Sequence, residues 1–302
     1  MALLELTDVS KFFGGVKAVD SLSFSIEKGE TLGLIGPNGA GKTTVFNLIT
    51  GLYPLDGGKI TFKGEDISQM KPHEIIPKGI ARTFQNLRLF PRASSVENVM
   101  TACRKESYSF IEALTHLGRW RYCERNARER AMKLLELVGI ADRAHQAAGT
   151  LPYGHQRKLE IARALALEPE LLLLDEPAAG MNPEEVDELN ALIRRISREL
   201  GITIIVIEHH MELVMEICPR IVCMNFGAKI AEGSPAEIQC HPEVLAAYLG
   251  RRFRHGRTHF VRSKPFRHIR GHQGASRRLD GSLRGRNCMR HRGQRSGKID
   301  AP

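Results

Sequence analysis

Apolar residues recur at every second position near the start of the chain, in Leu3-Leu4-Glu5-Leu6 and again at Leu22, Phe24 and Ile26. That period is the signature of half-buried β-strands. The turn Lys28-Gly29-Glu30 leads into Thr31-Leu32-Gly33-Leu34-Ile35, a short apolar run suited to a strand covered on both faces. A glycine-rich loop follows, then a predicted helix with Val45, Leu48 and Ile49 on one side, closed by Gly51 and Pro54. Residues 92–148 change character: Val96, Val99 and Met100, and later Leu134, Leu135 and Val138, fall at helical spacing with no alternation. This predicts a helical subdomain, about residues 92–165, inserted into a sheet. Beyond it come a strand Leu171–Leu174, a helix over 184–200, a strand Thr203–Ile207, a helix over 209–216 and a strand Ile221–Met224. Regular strand–helix alternation predicts an α/β fold with a parallel sheet. The helix over 184–200 has strong end signals: Asn182 as N-cap, Pro183 in the first turn, Glu184 and Glu185 at the positive dipole end, and Gly201 as terminator.

Compact patterning ends at Tyr248-Leu249-Gly250, and charge changes there too. The chain has 302 residues and a net charge of +10, but residues 251–302 hold 16 of its 44 Lys and Arg and 2 of its 34 Asp and Glu. The first 250 residues are therefore slightly acidic, and the pI near 9.5 describes the tail. That tail, with five histidines, many Gly and Ser and few aliphatics, cannot bury a core and is expected to be disordered. Three readings of it stay open: attraction to anionic lipid, contact with RNA phosphates, or an extension with no selected role, such as translation past the usual end in a shifted frame. Its lack of periodicity favours the last. No apolar run approaches the roughly 18–20 residues needed to span a bilayer. Glu5 and Asp8 interrupt what a signal peptide would require, so an intracellular location is expected. Cys103, Cys123, Cys218, Cys223, Cys240 and Cys288 are scattered without metal-ligand spacing and read as reduced thiols.

The chemistry is concentrated in two stretches. Gly36-Pro37-Asn38-Gly39-Ala40-Gly41-Lys42-Thr43 fits GxxxxGK[ST], between a buried strand and an amphipathic helix as the motif requires. Its glycines let successive N–H groups converge on phosphate oxygens, and the helix adds its positive end. Lys42 suits the β- and γ-phosphates, Thr43 a Mg²⁺ ion, and Thr44 the α-phosphate side. The plain alternative, a glycine turn that happens to contain lysine, does not explain this context. Leu171–Leu174 then delivers Asp175 and Glu176 to the C-terminal edge of the sheet, where open α/β sheets bind ligands. Asp175 suits the metal, and Glu176 can accept a proton from attacking water.

With these residues in place, the sequence over 3–250 resembles the ATP-binding subunits of ABC transporters. Thr83-Phe84-Gln85 resembles that family's Q-loop, and Leu151-Pro152-Tyr153-Gly154-His155-Gln156-Arg157-Lys158-Leu159-Glu160-Ile161-Ala162-Arg163 occupies the place of its signature motif. Ala178–Pro183 resembles the D-loop, Glu208-His209 the switch histidine, and Phe13 the aromatic that stacks on adenine. The resemblance implies a P-loop NTPase of the ABC ATPase type over residues 1–250, with a mixed or parallel sheet core, an N-terminal antiparallel β subdomain and the inserted helical subdomain.

It also implies ATP and Mg²⁺ as cofactors and a head-to-tail dimer with a second ABC ATPase subunit of a different sequence. Glu176, His209 and Gln85 would be catalytic. Thr43, Gln85 and Asp175 would serve the metal, and Gly154, His155, Gln156 and Asn182 would reach the nucleotide of the partner subunit. Two integral-membrane permeases and, indirectly, a periplasmic substrate-binding protein complete the implied assembly. It would lie peripherally on the cytoplasmic face of the inner membrane, with nucleic acid not among its partners.

Leu-Pro-Tyr-Gly-His-Gln-Arg-Lys-Leu-Glu-Ile-Ala-Arg, the loop GPNGAGKTTVFN, Arg82–Gln85 and the ending Ala247-Tyr248-Leu249-Gly250 resemble the larger ATPase subunit of branched-chain amino-acid importers. Relatives serving urea, short amides or lipopolysaccharide export are the alternatives within the family. Outside transport, soluble ABC ATPases carry two cassettes or a long coiled coil, and the 66 residues from Gln85 to Leu151 hold no sustained heptads. A regulatory subunit without turnover is opposed by Glu176 and His209. One departure matters: the general signature begins Leu-Ser-Gly-Gly-Gln, whereas Pro152 offers neither a hydroxyl nor an N–H. Either the composite site closes more weakly here, or the Gly154 N–H and the helix dipole suffice. The segment Tyr108–Glu124, with Phe110, Leu114, Leu117 and Trp120 at helical spacing, reads first as core packing and second as a permease groove.

Overall fold

The computed structural model describes residues 2–103, 119–209 and 211–249. Phe110, Leu114 and Leu117 of the segment discussed above, and the whole basic tail, lie outside the described residues.

The alternating N-terminal stretch forms two long strands, β1 (Ala2–Phe13) and β2 (Val16–Glu27), paired antiparallel. With β4 (Gly57–Phe62) and β5 (Glu65–Asp66) they make a four-stranded antiparallel sheet in the order β2-β1-β4-β5. The inner face of this sheet carries Leu4, Leu6, Leu22, Ile26, Ile60 and Phe62, all fully or almost fully buried. Isoleucine, leucine and phenylalanine at every second position give one dry face and one wet one, which is what fixes the register.

The second sheet has six strands. β3 (Thr31–Ile35), β6 (Ile80–Arg82), β7 (Leu171–Asp175), β8 (Thr203–Ile207) and β9 (Arg220–Asn225) run parallel, and β10 (Ala228–Gly233) returns antiparallel beside β9. The order is β10-β9-β3-β8-β7-β6. Each central strand is apolar on both sides, and its alternate residues belong to different cores. Leu171 and Leu173, with Leu32, Leu34 and Ile205, pack toward the antiparallel sheet. Leu172 and Leu174, with Ile204 and Val206, pack toward the helices. The mixed sheet, the antiparallel N-terminal sheet and the helical insertion agree with the fold expected from sequence.

The helices bound this sheet. α1 (Lys42–Ile49) follows the glycine-rich loop and buries Val45, Phe46, Leu48 and Ile49. After α2 (Pro72–Ile75), the insertion contains α3 (Ser95–Met100), α4 (Arg119–Leu137) and α5 (Tyr153–Leu165). Val138, grouped with the helical stripe by its spacing, lies just past the end of α4 and is still buried. α6 (Pro183–Leu200) starts at Asn182, whose Oδ1 accepts the Glu185 N–H at 3.0 Å while the Glu185 carboxylate accepts the Asn182 N–H. Its Leu189, Leu192, Ile193 and Ile196 form the buried stripe, and Gly201, at φ +64°, ends it. The next helix, α7 (Met211–Ile217), lies beyond the bend that carries His209. α8 (Pro235–Cys240) and α9 (Pro242–Leu249) close the described chain.

Candidate nucleotide site

Strands β3, β8, β7 and β6 are neighbours, so their C-terminal ends present the glycine-rich loop, His209, Asp175–Glu176 and Thr83–Gln85 along one sheet edge. Topology alone brings together segments more than a hundred residues apart.

The loop Gly36–Gly41 is shaped by its backbone. A Cβ at Gly36 would collide with the Met224 carbonyl oxygen, and one at Gly41, held at φ +100°, with the Ala18 carbonyl oxygen. The loop is therefore clamped between β9 and β2, and only glycine fits at either end. Gly227 strengthens the clamp: its N–H donates to Ala40 O at 3.1 Å and its carbonyl accepts the Asp20 N–H at 2.9 Å. Near the end of α9, the phenolic oxygen of Tyr248 accepts the Gly36 N–H, and burial pushes the hydroxyl up to about 12. Asn38 and Gly39 are exposed, Pro37 half-buried and Ala40 buried; Thr43 is exposed and Thr44 half-buried. The Lys42 ammonium lies inside the loop, donating to Gly36 O at 2.7 Å and Pro37 O at 3.1 Å. Burial lowers its pKa, opposed by the carboxylates of Glu176 and Asp175.

At the end of β7 the two acids diverge. Asp175 is 1% exposed, and its Oδ2 accepts Arg82 Nη2 at 2.7 Å. Arg82 Nη1 donates to Asn47 of α1 at 2.6 Å, and the guanidinium lies against the Phe46 and Phe84 rings. Burial raises the Asp175 pKa, and the Arg82 contact opposes that rise. Oδ1 of Asp175 is buried without a hydrogen-bond partner. A carboxylate with one oxygen fixed and the other left over fits a metal ion or its bound water.

Glu176 takes a left-handed backbone, φ +48°, which a non-glycine residue adopts only at a cost of about 1–3 kcal/mol. Its N–H is still fastened to Ile207 O, at 2.8 Å. The result is a carboxylate held at both oxygens: Gln85 Nε2 donates to Oε2 at 2.8 Å, and His209 Nε2 lies 2.6 Å from Oε1. His209 is itself set by Glu208, a buried acid whose Oε2 accepts the His209 N–H and whose Oε1 accepts the Ala178 N–H.

The expected site residues separate into groups. The loop, Asp175, Glu176, Gln85 and His209 converge. Phe13 stands at the end of β1, 44% exposed, with its ring edge-on to Tyr53 at 5.3 Å. Gly154, His155 and Gln156 open α5, and Asn182 uses its side-chain oxygen to cap α6. Pro152 is the N-cap of α5 and makes no side-chain cap, as its chemistry dictates. A Cβ at Gly154 would meet the Glu185 carboxylate. His155 is half-buried; burial, then Arg143 and Lys158, lower its pKa.

Sequence reasoning missed Arg82, Tyr53, Arg157 and Glu160 as parts of the site and gave Glu208 no role. Arg82, Arg157 and Glu160 stood inside quoted motifs, yet their partners lie up to 93 residues away in sequence. The one available signal was the polarity of Arg82 after the apolar pair Ile80-Ala81; Arg157 and Glu160 stand among other polar residues and gave none.

Comparison with known proteins identifies the family of this fold. The family described as ABC transporter matches residues 19–179. The chain belongs to the ABC transporter family. The branched-chain amino acid ATP-binding cassette transporter family also matches, over residues 228–254. The ATP-binding protein BraF of high-affinity branched-chain amino acid transport in Pseudomonas aeruginosa is 45% identical over 249 residues, covering 82% of this chain and 98% of that one. LivG of Escherichia coli, carrying the same description, is 41% identical over 249 residues with the same coverage. Among solved structures, a nucleotide-free ATP-binding cassette from an ABC transporter superimposes with a TM-score of 0.73 at 32% identity, covering 83% of this chain and 100% of that one. A cassette in its ADP conformation superimposes equally well, with 99% of that chain covered. Among the described residues, no helix of the cassette is long and apolar enough to cross a membrane.

Proposed function

We propose that this cassette binds and hydrolyses ATP to energise uptake of branched-chain or related amino acids through partner permeases. The observation that carries the reading is Glu176, held between Gln85 and His209 at the sheet edge that also bears the phosphate loop.

The triphosphate would lie along the N–H groups of Gly36–Thr44, with Phe13 against the adenine. Lys42 would turn its ammonium from the Gly36 and Pro37 carbonyls to the β- and γ-phosphates, exchanging two neutral acceptors for charged ones. Thr43, Gln85 and Asp175 would hold Mg²⁺, which would offset charge on the phosphate oxygens; the unpartnered Asp175 Oδ1 fits that use. Glu176 would polarise the attacking water through the carboxylate its two neighbours aim, and His209 would contact the γ-phosphate. Positioning and electrostatics supply most of the catalysis in such a transfer.

The lid would come from a second ATPase subunit arranged head to tail. Each subunit would offer Gly154, His155, Gln156 and Asn182 to the other's nucleotide. Two permeases and a periplasmic substrate-binding protein would complete an importer on the cytoplasmic face of the inner membrane. The branched-chain amino acid transport for which BraF and LivG are named, and the family matched at residues 228–254, support the choice of cargo.

Glu176→Gln tests the reading. In the assembled complex it should bind Mg-ATP normally while turnover falls by about 10²–10⁴-fold, and uptake of labelled leucine by cells carrying it should cease. Undiminished turnover would overturn the hydrolytic assignment. Turnover lost with leucine uptake intact would overturn the cargo.

A further inference from the structure

The first turns of α5 hold a buried ion pair that the proposed hydrolytic machinery does not use. Arg157 and Glu160 are each 3% exposed and lie 3.2 Å apart. Arg157 Nη1 also donates to Phe84 O at 2.9 Å, and Nη2 to Gln85 O at 2.6 Å and to the Tyr153 hydroxyl at 2.8 Å. Glu160 Oε1 accepts the Phe84 N–H at 3.2 Å. The pair thus grips both main-chain sides of one peptide segment, and that segment carries the Gln85 side chain bonded to Glu176.

A buried ion pair is a poor way to stabilise a core, because desolvation offsets most of the attraction and apolar replacements often do as well. What this pair supplies is geometry. The planar guanidinium fork spans two successive carbonyls, which a lysine ammonium on a flexible stem does not reproduce. Gly154, His155 and Gln156, proposed to face the nucleotide of the partner subunit, begin the same helix immediately before Arg157. Tyr153, which receives the fourth Nη hydrogen bond, faces Gly180 in the turn that follows Glu176.

We infer that Arg157 is a positioning residue that transmits displacement of α5 to Gln85 and so to Glu176, coupling the lid this subunit forms to its own hydrolytic site. The inference rests on the proposed function, and one readout is chosen to be independent of turnover. In the full chain within its complex, Arg157→Lys should lower turnover at saturating Mg-ATP about tenfold with KM changed less than twofold, while in a Gln85→Ala background the same change should cost less than twofold. Tyr153→Phe, which removes one acceptor from an otherwise intact fork, should act in the same direction more weakly. Amide exchange at residues 84–86 of the ligand-free chain should accelerate in Arg157→Lys, with the melting temperature little altered. Turnover losses of equal size with and without Gln85, or unchanged exchange at 84–86, would overturn the inference. Accelerated exchange in Arg157→Lys, alongside a wild-type chain that hydrolyses no ATP, would sustain the clamp and sink the functional reading instead.

Discussion

The phosphate loop and the signature helix are built in opposite ways. From Gly36 to Gly41 the shape comes from the main chain: two glycines fit where any side chain would strike a neighbouring carbonyl, and Lys42 reaches back only five or six residues for its partners. At α5 the shape comes from side chains reaching far across the fold, with Arg157 and Glu160 bonded to a segment 72–76 residues earlier. Asp175 shares this second character, since Arg82 connects it to Asn47 of α1. A main-chain site tolerates variation around it and is easily written as a spacing. A side-chain site depends on several distant residues keeping their lengths and charges together. The two acids at the end of β7 differ as well: Glu176 stands on a strained backbone with Gln85 and His209 at its oxygens, whereas Asp175 is held by a buried arginine.

The contrast can be broken most severely at Arg82. Arg82→Met should leave Asp175 as a buried, uncompensated carboxylate and destabilise the cassette by about 3–5 kcal/mol, read as a lower urea midpoint at unchanged slope. A loss below 1 kcal/mol would mean that Asp175 is held by its strand alone and that the two acids do not differ as described. A smaller effect is expected at Pro152, where the helix lacks a side-chain cap. Pro152→Ser restores a hydroxyl that can reach a partner-bound phosphate, and one such charge-assisted hydrogen bond should tighten ATP-dependent dimerisation by about tenfold. Unchanged dimerisation and turnover would show that the Gly154 N–H and the helix dipole already suffice.

How far the sequence could be read follows from the same distinction. The central strands were legible because Leu171–Leu174 and Thr203–Ile207 are continuous apolar runs, and α6 because Asn182, Pro183, Glu185 and Gly201 mark its ends through local bonds. The resemblance to a known family supplied the Q-loop and the switch histidine, and the structure brings both onto Glu176. β6 and β10 gave no comparable signal: three residues, Ile80–Arg82, become a strand only because β7 offers them an edge. The Arg157–Glu160 clamp was equally silent, since an i, i+3 pair of opposite charge on a helix reads as an exposed salt bridge until burial is known.

Mg-ATP binding to the full chain, compared by calorimetry with Lys42→Ala, tests the central claim most directly. The phosphate loop as described predicts saturable binding at millimolar or lower concentration that Lys42→Ala abolishes or weakens at least about tenfold, the loss of one charge-assisted hydrogen bond. Binding of equal strength in both proteins would contradict it.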